Sequence, residues 1–367
     1  MWKQVICIIQ VMNSIKGYLA YLLMPLSLLY WCVLFWRNFF YKYNFFSKNR
    51  LSCKVISVGN ITVGGTGKTP IVLYLCSLLI KQGKKICILS RGYGRITKGT
   101  VLVSSGSDPL CKWEEAGDEP FMLAKKLKGV PIAVDENRFR GGVFLVNNYN
   151  PDIIIMDDGF QHRSLFRDLD IILLNGSDNK QDHKLLPVGR LREPWVNIKR
   201  ADAILITKNT PRLFLKRKIS KLRLPSFHTQ INVKVFGKRN NLEITRDQLM
   251  NVKVLLLSGI ADNKHFNHTA ISLGCKVLGV EAYPDHFKFT RKEILRAEKK
   301  ANEIGADYIM TTEKDWVKIR TFNLSLPIAV IRIEIYVEEE PELLNLIQER
   351  LYSKSAPFPK QRQHQQM

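Results

Sequence analysis

Two constellations in this 367-residue chain have the residue types of group-transfer chemistry. The first is Val58-Gly59-Asn60-Ile61-Thr62-Val63-Gly64-Gly65-Thr66-Gly67-Lys68-Thr69, closed by Pro70. Its glycines free backbone N–H groups, and the helical run Ile71–Ile80 adds the positive end of its dipole, so the loop suits a polyphosphate. Lys68 would reach the β and γ phosphates, and the Thr69 hydroxyl would hold magnesium. The strict loop pattern asks for Gly five positions before Gly67, where this chain has Thr62. The second constellation is Asp157-Asp158, at the end of the apolar run Ile153–Met156. A carboxylate opposite a phosphate loop is where such sites hold the magnesium shell. A helix cap or simple solvation is the plainer alternative; the agreement of loop, strand order and acids favours the metal role.

Other polar groups leave their alternatives open. In Gly117-Asp118-Glu119-Pro120 the acids serve equally as a helix cap or as the base that accepts the proton of an attacking hydroxyl. His286, in Tyr283-Pro284-Asp285-His286-Phe287, suits proton relay beside a carboxylate, but a packed surface histidine is the commoner case. His162 reads as structural. Ser90-Arg91-Gly92-Tyr93-Gly94-Arg95 offers two guanidinium groups to an anionic substrate, and it lacks a dinucleotide fingerprint. Thr311-Thr312-Glu313-Lys314-Asp315 reads by itself as a solvated turn.

The elements that must position these groups alternate between strand and helix. Residues 85–89, 130–134, 152–156, 169–174 and 203–206 read as buried strands, with helical patterns at 119–127 and 137–146. That alternation predicts a parallel sheet with helices on both faces, and ligands beyond the carboxyl ends of its strands. The loop, Ser90–Arg95, Asp135–Arg138 and Asp157-Asp158 all fall there. Residues 212–251 read as a polar connector with a hairpin, carrying the weak alternation Phe227, Thr229, Ile231, Val233, Val235. A second alternation, at 252–257, 275–280, 308–310 and 328–335, predicts a smaller α/β domain. The expected organisation is an N-terminal segment 1–50, a phosphate-loop domain 51–211, the linker 212–251, a smaller domain 252–352 and a disordered tail 353–367.

A formal charge of +23 points to anionic partners. Basic residues are scattered and no nucleic-acid reading element is visible, so no nucleic acid is expected. Seven cysteines, none in a Cys-x-x-Cys pair, read as small buried hydrophobes in a reducing compartment. Tyr18–Trp36 is uncharged and aromatic, and Arg37, Lys42, Lys48, Arg50 and Lys54 follow it. It reads as a membrane helix, spanning or half-sunk, with the rest of the chain on the cytoplasmic side; a buried helix is the alternative. A cleaved signal peptide is disfavoured by the long aromatic core.

Taken in order, Ser57–Pro70, Ser90–Arg95, Gly117–Pro120, Asp157–Arg163, Gly189–Pro194, Asp285-His286-Phe287 and Thr312–Asp315 closely resemble the tetraacyldisaccharide 4′-kinases, the lipid A 4′-kinases of bacteria. Pro25–Tyr30 shares the likeness. The resemblance implies a P-loop NTPase-type α/β fold and a peripheral inner-membrane enzyme. Such an enzyme moves the γ-phosphoryl of ATP, with Mg2+, to the 4′-hydroxyl of an acylated disaccharide 1-phosphate lipid, giving lipid IV-A. It implies that Thr62, Val63, Gly64, Gly65, Thr66, Gly67, Lys68 and Thr69 form the ATP loop, and that Thr69, Asp157 and Asp158 serve the metal. Asp118 matches the catalytic base and His286 its partner from the second domain, with Lys68 on the phosphates. Tyr93, Glu119, Arg138 and Arg190 resemble further cleft residues. The rival readings are a soluble P-loop ATPase switch and a nucleic-acid-associated NTPase, which would turn over ATP without lipid.

Overall fold

The computed structural model describes residues 22–208, 210–237 and 242–352. Tyr18–Tyr21 of the expected anchor and the tail 353–367 lie outside the described residues. The chain runs α1 (Met24–Lys42), β1 (Lys54–Asn60), α2 (Lys68–Lys81), β2 (Ile86–Ser90), β3 (Val101–Ser105), α3 (Asp118–Lys126), β4 (Pro131–Val134) and α4 (Arg138–Tyr149). It continues through β5 (Ile153–Asp157), β6 (Leu169–Asn175), β7 (Ala203–Thr207), α5 (Leu213–Ser220), β8 (Ser226–Gly237), β9 (Glu243–Ile244) and β10 (Lys253–Ser258). The last elements are α6 (Asn263–Ser272), β11 (Lys276–Ala282), α7 (Arg291–Glu303), β12 (Tyr308–Thr312), α8 (Glu313–Ile319), β13 (Ile328–Val337) and α9 (Glu340–Tyr352).

Local chemistry sets the helix starts that matter for the site. Gly67 takes a left-handed φ of 82° to turn the loop into α2, and Pro70 sits in the first helical turn, where its missing N–H costs nothing. Asn137 caps α4 by accepting from Phe139 and Arg140 N–H at 3.1 and 3.2 Å. The Thr312 hydroxyl accepts from the Asp315 N–H to start α8.

The strands form a single mixed, mostly parallel sheet in the order β11-β10-β12-β13-β8-β7-β6-β1-β5-β2-β4-β3, with β9 on β8. β1 lies parallel between β5 and β6, which brings Asp157 next to the start of the phosphate loop: Val58 pairs with Asp157. The 212–251 stretch does contain an antiparallel hairpin pairing, Val235 with Ile244. It also does more than connect. Ser226–His228 pair parallel to β7, and Thr229–Gly237 pair antiparallel to β13, so β8 carries the sheet without a break. The weak alternation there reflects a strand with one packed side, whose partner β13 lies about 100 positions away in the chain.

Apolar residues of both strand faces are buried, as expected for a sheet covered on both sides. On one face Ile56, Val58, Ile88 and Ile155 pack under α2, α3 and α9. On the other, Val55, Leu89, Ile154 and Met156 pack under α4, and Ile172, Leu174, Ile204 and Ile206 under α5. Beyond residue 252 the strands have cores of their own, against α6 and α7. Ile335, Val337, Leu343, Ile347 and Leu351 nevertheless join the core of the phosphate-loop half.

Among the described residues no helix is long and apolar enough to cross a membrane. The expected anchor lies along the body instead. Tyr30 Oη donates to the Arg192 carbonyl at 2.7 Å, Arg37 pairs with the buried Glu193 at 2.8 Å, and Leu34 is buried between them. The outward stripe of α1, Leu26, Leu29, Val33 and Trp36, is exposed.

Candidate active site

The phosphate loop is held from behind. Asn60 Nδ2 donates to the Thr62 carbonyl and the Thr66 hydroxyl at 2.6 and 3.0 Å, and Thr207 donates to the Thr66 carbonyl at 2.9 Å. Thr62, Thr66 and Thr69 are buried. The strand-like return Arg190–Arg192 forms a second brace: Val63 N–H donates to the Arg190 carbonyl at 2.8 Å, and Arg192 N–H to the Ile61 carbonyl at 2.7 Å. Arg190 itself turns back on the loop, its Nε and Nη2 donating to the Val63 carbonyl at 3.0 and 2.6 Å. A Cβ on Gly64, whose φ is 107°, would collide with that guanidinium. Arg190 thus braces the loop at Val63 and Gly64.

That cleft, of about 530 Å3, is lined by Val63, Tyr93, Asp118, Glu119, Arg138, Asp157 and Asp158 among others. Lys68 Nζ stands 3.6 Å from Asp158, which also accepts from Arg192 at 3.1 Å. Burial raises the Asp158 carboxyl, and Lys68 and Arg192 outweigh it, so the group sits below the usual carboxylate range. Its neighbour behaves oppositely. Burial, then the charges of Glu119 and Asp158, push Asp157 up to about 7, against Lys68 and a hydrogen bond from Ser90. Asp157 Oδ1 is buried with no hydrogen-bond partner among the described residues. An acceptor-only atom left bare in this way fits a hard cation.

At the other side of the cleft Asp118 opens α3 and is buried. His286 reaches it from the turn after β11, with Nδ1 2.9 Å from Oδ2. Lys314 Nζ lies 3.1 Å from His286 Nε2, and lysine only donates, so Nδ1 carries the ring proton and donates to Asp118. Lys318, itself buried, places Nζ 3.3 Å from Asp118 and 3.2 Å from Asp315. Burial raises the Asp118 carboxyl; the His286 hydrogen bond and the charges of Lys314 and Lys318 outweigh it, leaving it well below the usual carboxylate range. The carboxylate stays ionised. His286 Nδ1 stands 3.1 and 2.9 Å from its two oxygens, the Glu119 N–H donates to Oδ1 at 3.0 Å, and Lys318 and Lys314 lie 3.3 and 3.8 Å from Oδ2.

The sequence-predicted residues thus gather unevenly. Tyr93 packs its ring 5.0 Å from the His286 ring, and Glu119 and Arg138 line the cleft. Arg91 lines it too, whereas Arg95 is tied to Glu136 at 2.5 Å and to the Gly99 carbonyl. Sequence reasoning missed Arg192, Lys314 and Lys318 as functional groups. The signal for the lysines was present: Thr312-x-x-Asp315 is a helix start, and positions 314 and 318 share one face of the helix it opens.

Comparison with known proteins covers nearly the whole chain. A family model described as "LpxK: Tetraacyldisaccharide-1-P 4'-kinase" matches residues 19–352. A tetraacyldisaccharide 4′-kinase of Aquifex aeolicus (strain VF5) is 38% identical over 300 residues, 81% of this chain and 88% of that protein. One from Pelobacter propionicus is 33% identical over 336 residues, 90% of this chain and 92% of that one. The crystal structure of LpxK from Aquifex aeolicus in complex with ATP superposes with a TM-score of 0.73 at 36% identity, covering 91% of this chain and 100% of that one.

Proposed function

The chain belongs to the tetraacyldisaccharide-1-phosphate 4′-kinase family, and on that premise we infer that it is the ATP-dependent 4′-kinase of lipid A biosynthesis. It transfers the γ-phosphoryl group of ATP to the 4′-hydroxyl of a tetraacyldisaccharide 1-phosphate, giving lipid IV-A. The observation that carries this reading is one cleft with a phosphate loop on one wall and an ionised, histidine-held carboxylate on the other. An ATPase switch needs only the first. A kinase for an alcohol needs both.

In the reaction the acceptor oxygen bonds to the γ-phosphorus, the bond to the β–γ bridging oxygen breaks, and ADP leaves. The hydroxyl proton passes to Asp118, whose orientation His286 and Lys318 hold. A weakly basic carboxylate suits a loose transition state, where positioning and charge neutralisation supply most of the catalysis. Lys68 and the loop N–H groups bind the β and γ phosphates. Magnesium fits the bare Asp157 oxygen, and we assign its holders as Thr69, Asp157 and Asp158. When bound it neutralises charge on the transferred phosphoryl group. We further propose that the exposed stripe of α1 rests on the cytoplasmic face of the inner membrane, where the acylated acceptor resides.

The test follows labelled γ-phosphate from ATP into the disaccharide lipid. Stoichiometric label in a lipid product is expected, with negligible ATP turnover when the lipid is left out. Lipid-independent turnover without labelled lipid would defeat the kinase reading.

A further inference from the structure

Lys314 stands where local chemistry would not put a cation. It is the second residue of α8, and the first turn of a helix favours acids over bases. The helix start is nonetheless pinned. Buried Asp315 accepts from the Gly259 N–H at 2.8 Å and from the Thr312 hydroxyl at 2.9 Å. From that fixed start the ammonium reaches four groups. Asp285 Oδ1 accepts from it at 3.0 Å, His286 Nε2 at 3.1 Å and Glu119 Oε1 at 3.5 Å, and Asp118 Oδ2 lies 3.8 Å away. Two of these belong to α3 and two to the turn after β11, so one side chain ties the carboxylate to the loop that carries its histidine. Burial lowers the Lys314 ammonium, and the charges of Glu119, Asp118 and Asp285 outweigh it, holding the group above the usual lysine range. It stays a donor.

His286 needs such a partner. Its φ of 61° is left-handed, where a non-glycine residue is strained, so surrounding contacts must hold it. Asp285 Oδ1 accepts its backbone N–H at 3.1 Å, and its ring lies 5.0 Å from the Tyr93 ring. Neither contact distinguishes the two ring nitrogens. Asp118 would accept from Nδ1 of a neutral ring or of an imidazolium alike. Asp285 Oδ2, 3.7 Å from Nε2, would draw a proton onto that nitrogen. Lys314 opposes it, because Nε2 must offer its lone pair to an ammonium, and the ring then carries a single proton, at Nδ1. Lys318 cannot take this place, since it serves Asp118 and Asp315. The distinction matters to the carboxylate. A second full positive charge on the ring would weaken it as a base, whereas a neutral donor orients it.

We propose that Lys314 is a positioning residue for the transfer: it locks His286 in the neutral, Nδ1-protonated form that holds Asp118 ready for the acceptor hydroxyl. The inference rests on the kinase reading and deepens it at the same site.

The test uses the full-length enzyme carrying isotope-labelled histidine, with the His286 ring signals identified by their loss in His286→Gln. Proton–nitrogen correlation spectra at neutral pH report which ring nitrogen is protonated. Wild type and Lys314→Arg, which keeps a donor at Nε2, are expected to show the proton on Nδ1 alone. Lys314→Met is expected to show Nε2 protonated. Its kcat on the disaccharide lipid should fall roughly ten-fold, the worth of one charge-assisted hydrogen bond, with the KM for ATP unmoved and the rate recovered in part by Lys314→Arg. A wild-type ring protonated at Nε2 overturns the proposal whether or not the variants fold. So does a folded Lys314→Met enzyme that keeps the wild-type ring signals, or one that keeps the wild-type kcat. A wild-type enzyme that labels no lipid fails the kinase reading instead, and the ring signals, read without turnover, are judged separately.

Discussion

Asp118 is surrounded by groups that decide its charge: His286, Lys314 and Lys318 favour the carboxylate, Glu119, Asp285 and Asp315 stand nearby, and burial opposes ionisation. Its folded pKa is depressed, so the carboxylate is ionised through the ordinary carboxylate range and loses its charge only when pH falls through the depressed value. Lys318→Met removes one cation at 3.3 Å and should raise that pKa by about 1–3 units. The acid limb of the pH profile of kcat/KM then moves up; a limb at the wild-type position would show that Lys318 does not set the base. Asp118→Ala should lower kcat by roughly 10²–10⁴-fold. ATP affinity in that variant, read by calorimetry, should stay near wild type, because the carboxylate does not touch the phosphate loop. Lys68→Ala should lose ATP affinity as well as turnover.

At the scale of elements, the loop's shape depends on a segment far along the chain. Arg190 donates twice to the Val63 carbonyl and fills the space beside Gly64. Arg190→Ala should raise the KM for ATP about ten-fold, the worth of a charged hydrogen bond, and leave the acceptor KM unaltered. The converse pattern would return Arg190 to the acceptor side of the cleft. Helix α1 divides into two faces at helical spacing: Ser27, Tyr30, Leu34 and Arg37 meet the body, and Leu26, Leu29, Val33 and Trp36 face out. Leu29→Glu with Val33→Glu should abolish sedimentation with anionic vesicles while the melting temperature is preserved, since neither residue contributes to the core. Undiminished vesicle binding would remove α1 as the contact.

Across the whole molecule, the two halves that clasp the cleft are one sheet joined through β8. Further ties cross between them: Lys208 with Asp262 at 3.1 Å, and Lys126 with Glu313, which also holds Arg332. The last strand and helix return to the core beneath the phosphate loop. Chemical denaturation is therefore expected to show one transition, with hydrogen exchange in β1 and β12 reporting the same midpoint. Ile347→Ala should lower both by the same amount, about 2–5 kcal/mol of cavity cost. Separate midpoints would mean that the halves unfold independently.

Much of this protein was readable in the chain, because glycine loops, buried apolar strands and acids at strand ends are local signals whose meaning depends on a few neighbouring residues. The loop, Asp157-Asp158 and most of the parallel strands could be found that way. Asp118 and His286 were ambiguous as isolated residues; 168 positions separate them, and only the packed sheet brings them to 2.9 Å. The same distance problem concealed Lys318 beside the base, Arg190 behind the loop and β8 inside the sheet. Pair interactions fall off within a few ångströms, so partners remote in sequence acquire a role only when the tertiary fold sets them side by side.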